Sequence, residues 1–320
     1  MVGKLTPDNM MSASLLPALM NLSPYKTPNA VLGEFIDRDE NKPVEQWAGN
    51  ELTFWGDVHE GVILKEVQKR LELTELEDDF NQAFFHDALP LAASLDGRAT
   101  VSGEIVGNHR RGVYLMNTDG AGIMNQKIIL ECKTTQAPTE DVPALYRGPV
   151  QLQAQMMCAG AEWGAVCVLY RGSTLRIFLY KADPVVQARI TEAVKDFENR
   201  RFNKDWYPLQ HSEDGNVAFG QVDDAAPPLD VQEGDVQDAI EVLVEAKRLK
   251  KEAEEEIANA EVVIKEFMGN HEEARTIVDG TDTIIKWPMR KRRAQPEKVT
   301  PAKPEAVVRQ NTLLVKELKK

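Results

Sequence analysis

A chain of 320 residues, 42% hydrophobic and 28% charged, has room for one large globular domain or a medium one with appendages. Three cysteines without paired spacing, Cys132, Cys158 and Cys167, argue against a disulfide framework or a zinc cluster and for a reducing cytoplasm. The net charge of −13 excludes a uniformly basic nucleic-acid binder, although residues 286–320 hold eleven Lys/Arg against three Glu.

In chain order, the opening MVGKLTPDNMMSASLLPALM has no long apolar core, so neither a signal peptide nor a membrane span is expected there. Ser12 to Met20 has the periodicity of a short helix, with Ser12 or Ser14 as N-cap. Thr27 caps a second helix that Pro28 opens and that runs to about Arg38. Thr53 to about Leu73 is an amphipathic helix. The period then changes: Leu89 to Val101 and Lys127 to Lys133 read as strands, with a strand fragment, a Gly-rich turn and an inserted hairpin expected between them. A helix from Leu145 to about Ala161 follows, then strands Trp163 to Tyr170 and Thr174 to Lys181. Asp183-Pro184 starts a long helix to about Phe202.

This order predicts an α/β core, a mixed sheet with helices packed on it, over residues 1–208. Residues 209–234 read as a linker, and residues 235–288 as a long helix ended by Gly269 plus a hairpin turning at Asp279-Gly280. Residues 289–320 read as a basic tail, expected to be flexible, carrying Arg290-Lys291-Arg292-Arg293.

The chemistry concentrates in Ser94-Leu95-Asp96-Gly97-Arg98 and Ile128-Ile129-Leu130-Glu131-Cys132-Lys133. Alternate strand residues share a face, so Glu131 and Lys133 point one way and Cys132 the other. An acid and a lysine at the end of an apolar run are costly without a purpose. Asp96 can add a second carboxylate from a neighbouring strand. Two or three carboxylates with a main-chain carbonyl suit Mg²⁺ or Mn²⁺, which take hard oxygen ligands. Lys133 can then hold the attacking water and steady charge on a phosphate.

Four ordered segments carry a resemblance: SASLLPALMNLSPYKTP at 12–28, WGDVHEGVI at 55–63, SLDGR with ILECKTT at 94–98 and 129–135, and VQLQAQMMCAGA at 150–161. Together they resemble the YqaJ-like phage recombinase nucleases, relatives of lambda exonuclease in the PD-(D/E)XK superfamily. The resemblance implies a PD-(D/E)XK restriction-endonuclease-like fold and a metal-dependent deoxyribonuclease. It makes Asp96, Glu131 and the Cys132 carbonyl ligands of Mg²⁺ or Mn²⁺, with Glu60 helping to hold a second ion. It puts Lys133 on the attacking water and Gln151 beside the metal, with Gln153 a lesser candidate. Ser14 and Ser94 match positions that contact the 5′-phosphate end or the DNA backbone, and Arg98, Arg110 and Arg111 are further DNA-contact candidates. The implied partners are double-stranded DNA ends, a single-strand annealing protein and other copies of the chain in a homo-trimer, with no membrane. An Arg that such enzymes carry ahead of the first motif is missing, where Thr6-Pro7-Asp8 stands instead.

Blander expectations stand beside these. Gln155 reads as a surface residue, His59 as a polar surface histidine, Tyr25 and Trp55 as packing residues, and the three cysteines as core. Three functions compete. They are a 5′-to-3′ exonuclease that leaves 3′ tails on linear duplex, a structure- or sequence-specific endonuclease on the same fold, and a non-catalytic DNA-binding recombination scaffold.

Overall fold

The computed structural model describes residues 5–42, 50–118, 122, 125–220, 227–232 and 234–289. The chain divides into two compact units, residues 1–220 and 221–320.

The first unit opens with strand β1 (Met11–Ser12), a 3-10 turn over Ala13–Leu15 and a short helix α1 (Leu16–Leu19). The single helix expected from Ser12 is therefore broken. Met11 and Ser12 pair in parallel with Leu91 and Ala92, and the Ser12 hydroxyl bonds Ser14 Oγ at 2.9 Å instead of capping a turn. Helix α2 (Pro28–Asp39) starts as its sequence dictates, with Thr27 Oγ1 accepting from Ala30 N at 3.1 Å. Helix α3 (Glu51–Leu71) is capped by Asn50, whose side chain accepts from Thr53 N at 3.0 Å, two residues ahead of the expected start.

Strands β2 (Leu73–Glu77), β3 (Phe84–Phe85), β4 (Leu91–Ala93) and β5 (Gly97–Val101) follow. The strand expected over Leu89 to Val101 is thus two strands belonging to different sheets, separated at Ser94-Leu95-Asp96. After a 3-10 turn over His109–Arg111 comes β6 (Val113–Leu115), then β7 (Lys127–Thr135). Of the inserted hairpin expected here, the described residues show one antiparallel bridge, Asn108 to Val113, closing the His109–Arg111 turn; β6 runs to the far edge of the sheet and pairs in parallel with Ile177–Leu179. Helix α4 (Pro149–Ala159) starts later than expected, at Gly148, whose φ is 114°. A Cβ there would lie 2.6 Å from Val166 Cγ1, so only glycine lets the chain approach the sheet this closely. Strands β8 (Trp163–Tyr170) and β9 (Thr174–Lys181) and helix α5 (Pro184–Asn203), capped by Asp183, match their sequence boundaries closely.

The main sheet has the order β2-β5-β7-β8-β9-β6. β7 is antiparallel to β5 and parallel to β8, so the sheet is mixed, as expected. A smaller sheet has the order β1-β4-β3. One face of the main sheet packs on α3 through Ile63, Leu64 and Val67 against Ile128, Leu130 and Ile177. The other receives Leu152 and Met156 of α4 against Ile129, Val166 and Phe178. Behind α4, Phe35 of α2 meets Phe197 of α5 edge-to-face at 5.0 Å.

The segment read as a linker contains helix α6 (Ser212–Ala218) within the first unit. Its Asp214 is 2% exposed and accepts from the Thr27 hydroxyl at 2.5 Å and from Gln210 N at 3.1 Å, which ties the segment to the start of α2. The second unit holds helix α7 (Asp235–Met268) and a hairpin of β10 (Glu273–Val278) and β11 (Thr281–Lys286), turning at Asp279-Gly280 with both φ angles positive. The Arg290–Arg293 cluster and the tail to residue 320 lie outside the described residues. Among the described residues, no helix is long and apolar enough to cross a membrane.

Candidate active site

Alternation along β7 decides what stands where the strand leaves the core. Ile128, Leu130 and Cys132 pack toward α3, and Ile129 toward α4, so Glu131 and Lys133 share the α4 side. Glu131 is 1% exposed, and a carboxylate so placed needs both oxygens engaged. Lys133 Nζ pairs with Oε1, and the Gln155 amide of α4 donates to Oε2. Gln155 Nε2 also donates to the Ser94 carbonyl at 2.9 Å, which leaves Gln155 Oε1 buried and without a partner among the described residues.

Asp96 sits just before β5, beside β7. Its Oδ2 accepts from Cys132 N at 2.7 Å, so the acid is fixed to the strand that carries Glu131. Burial, and next the charge of Glu131, push the Asp96 carboxyl well above the usual carboxylate range. Glu60 comes from α3, and burial followed by the Glu131 charge raises it too. Burial works against the Lys133 ammonium, but the charges of Glu131 and Asp96 outweigh it and hold its pKa above the usual lysine value.

These groups line one cleft of about 840 Å³. The structure brings Glu60, Asp96, Glu131, Cys132, Lys133 and Gln151 together there. It places other candidates elsewhere. Gln153 is 3% exposed and joins β9 to α5, donating to Lys181 O at 3.0 Å and accepting from Asp183 N at 2.9 Å, so it has no face left for DNA. Arg98 pairs with Glu77 and stacks near Phe80 and Phe84, outside the cleft. Ser14 is exposed and bonds Ser12, and Ser94 touches the site only through its carbonyl. Arg110 and Arg111 line a separate basic cavity.

Gln155, read as a surface residue, is fully buried at the centre of the site. The signal was in the spacing: Gln151 and Gln155 are four apart and share one helical face, whereas Gln153 cannot. Tyr25 and Trp55, expected to pack, are 83% and 48% exposed and line the cleft, as does His59. Tyr25 meets Tyr146 edge-on at 5.9 Å.

Among the described residues, no three His, Cys, Asp or Glu side chains stand at ready metal-holding spacing, and Lys133 and Gln155 engage both oxygens of Glu131. The donor set still fits a hard divalent cation. It is all oxygen, and Asp96 and Glu60 both carry raised pKa values that a cation's charge would reverse.

A mixed sheet flanked by helices thus carries an acid pair and a lysine at the polar end of its central strand. Residues 7–162 match the model of the YqaJ-like viral recombinase domain. No curated protein matches the chain. Among solved structures, it is similar to the alkaline exonuclease LHK-Exo from Laribacter hongkongensis in complex with dAMP, at 14% identity and a TM-score of 0.45, over 61% of this chain and 89% of that one. It is also similar to a phage-related exonuclease from Haemophilus somnus 129PT, at 11% identity and a TM-score of 0.42, over 61% and 94%.

Proposed function

We propose that this protein is a Mg²⁺- or Mn²⁺-dependent exonuclease that digests linear double-stranded DNA from 5′ to 3′ and leaves 3′ single-stranded tails for strand annealing. The observation that carries the reading is the Lys133–Glu131 pair beside Asp96, which is itself held by the Cys132 N–H.

Asp96, Glu131, the Cys132 carbonyl and Glu60 would hold the cations, two in number. Bound there, the cations would neutralise charge on the scissile phosphate and acidify the attacking water. Lys133 Nζ orients that water and offers positive charge to the pentacovalent phosphate. Asp96 keeps its orientation through the Cys132 N–H, and Gln155 fixes the Glu131 carboxylate from the opposite side. The polarity, a homo-trimeric ring around the duplex, an annealing-protein partner and work in a cytoplasm rest on the family resemblance.

The test is Mg²⁺-dependent digestion of linear duplexes labelled at either end, with a covalently closed circle beside them. Loss of the 5′ label first and an intact circle are expected. Cutting of the circle would make the protein an endonuclease. Full activity in Lys133→Ala would remove the site assignment.

A further inference from the structure

A second cavity, of about 530 Å³, lies beyond the cleft and is lined by Lys69, Arg70, Arg110, Arg111 and Arg176, five cations facing the single acid Glu66. In a chain of net charge −13, that concentration of one sign has an electrostatic purpose or is strongly self-repelling.

The cavity is built. Arg70 pairs with Glu66 and donates to the carbonyls of Arg111 at 2.9 Å and Leu175 at 3.1 Å, clamping the His109–Arg111 turn against β9. Gly112 permits the clamp, since a Cβ there would lie 2.6 Å from Leu175 O. Arg176 stands 5.2 Å over the Tyr114 ring and donates from Nη1 to the Tyr114 hydroxyl, yet its Nε is buried with no partner among the described residues. A buried guanidinium N–H without an acceptor is costly unless a ligand supplies one. Lys69 and Arg110 are exposed and make no hydrogen bond or ion pair among the described residues.

The two cavities adjoin along two elements. Glu60 and Ile63 of α3 line the cleft, while Glu66, Lys69 and Arg70 of the same helix line the basic cavity. The β8–β9 turn puts Gly172 on the first and Ser173 on the second. Nine residues of α3 separate Glu60 from Lys69, about 14 Å of helix, or about two phosphates of a strand whose neighbouring phosphates are roughly 7 Å apart.

We propose that this basic cavity is a phosphate-backbone subsite that grips a DNA strand about two nucleotides from the reacting phosphate. It rests on the nuclease reading for its substrate. The cavity would hold the strand's sugar-phosphate backbone, to which five clustered cations offer charge and donors.

The test is fluorescence anisotropy of DNA with the full chain in Ca²⁺ buffer, where binding is read without turnover. Neutral methylphosphonate linkages are scanned one at a time from the 5′ end of one strand, so that the protein is unaltered. Weakest binding with the neutral linkage at about the second to fourth position is expected, and a flat scan overturns the proposal. The Lys69→Ala/Arg110→Ala variant should bind unmodified DNA about tenfold or more weakly, lower the salt slope by about one per cation removed, and lose the positional minimum. An unchanged slope and an unchanged scan in that variant overturn it as well. Displacement of DNA by millimolar inorganic phosphate, without any positional minimum, would make the cavity a free-phosphate site and overturn the strand assignment. A wild-type protein that shows the minimum but hydrolyses nothing in Mg²⁺ sinks the nuclease reading and leaves the subsite standing.

Discussion

The Gln155 amide reaches across from α4 to the carboxylate of Glu131 on β7, on the oxygen that Lys133 leaves free. The same amide nitrogen holds the Ser94 carbonyl two residues before Asp96. One neutral side chain thereby ties β7, which carries Glu131, to the loop that carries Asp96, and it fixes Glu131 without adding charge to a crowded site.

Replacing Gln155 with leucine keeps the volume and removes both hydrogen bonds. A hydrogen bond to a charged group is worth about 1.5–3 kcal/mol, so kcat on linear duplex should fall about 10- to 150-fold with KM little changed. Gln155→Glu places a like charge against Glu131 and should cost more. Wild-type turnover in the leucine variant would show that the contact does not serve the reaction.

Charge crowding around Asp96 predicts a thermal response to divalent cations. At a hundred times its Kd, Mg²⁺ should stabilise the protein by about 2.7 kcal/mol, roughly 5–10 °C in Tm for a unit of this size. Chelation should abolish both the shift and DNA digestion. An equal shift in Asp96→Asn, read by differential scanning fluorimetry, would place the cation elsewhere.

Asp214 ties α6 to α2. Burial works to raise its pKa, but hydrogen bonds from the Thr27 hydroxyl, the Gln210 and His211 N–H groups and Asn29 outweigh burial and hold the carboxyl below its usual range. A depressed carboxylate contributes stability above its unfolded value near 3.8, which is lost as pH falls through the lower folded value. Asp214→Asn should therefore lower Tm at pH 7 by an amount equivalent to about 1–3 kcal/mol, and the gap to wild type should narrow below about pH 4. Parallel Tm curves from pH 7 to 3 would contradict this.

Tyr25 and Trp55 present exposed rings at the cleft, where a frayed terminal base could stack. Base–aromatic stacking is worth about 1–3 kcal/mol, so Tyr25→Ala or Trp55→Ala should raise KM for blunt duplex about 5- to 150-fold. Pre-frayed ends should show the effect most clearly. No change in KM in either variant would assign the rings to the surface alone.

The sequence was most informative where local rules act alone. Period-2 alternation put Glu131 and Lys133 on one face, Pro and cap residues set the starts of α2 and α5, and Asp279-Gly280 marked its hairpin. It was least informative where distant segments decide. Ser12 lies in a strand because residues near 91 accept it, and β6 pairs with β9 across the sheet, which no local pattern announces. Gln153 and Gln155 exchanged roles for the same reason, since a helix's phase relative to the sheet is fixed by packing against Ile129 and Val166. The stretch after residue 208 looked like a linker because its composition is polar, while the buried Asp214 bonds that anchor it come from residue 27.

Gly148 has a consequence for how this protein can drift. The glycine lets α4 start hard against Val166, and Gln155 lies two turns further along the same helix. Any side chain at 148 must push the start of the helix away from the sheet, tilting an amide off a carboxylate that it never touches. Tolerance to substitution here is therefore set by the pivot of a lever, and variation at a position with no chemistry of its own would be paid in turnover.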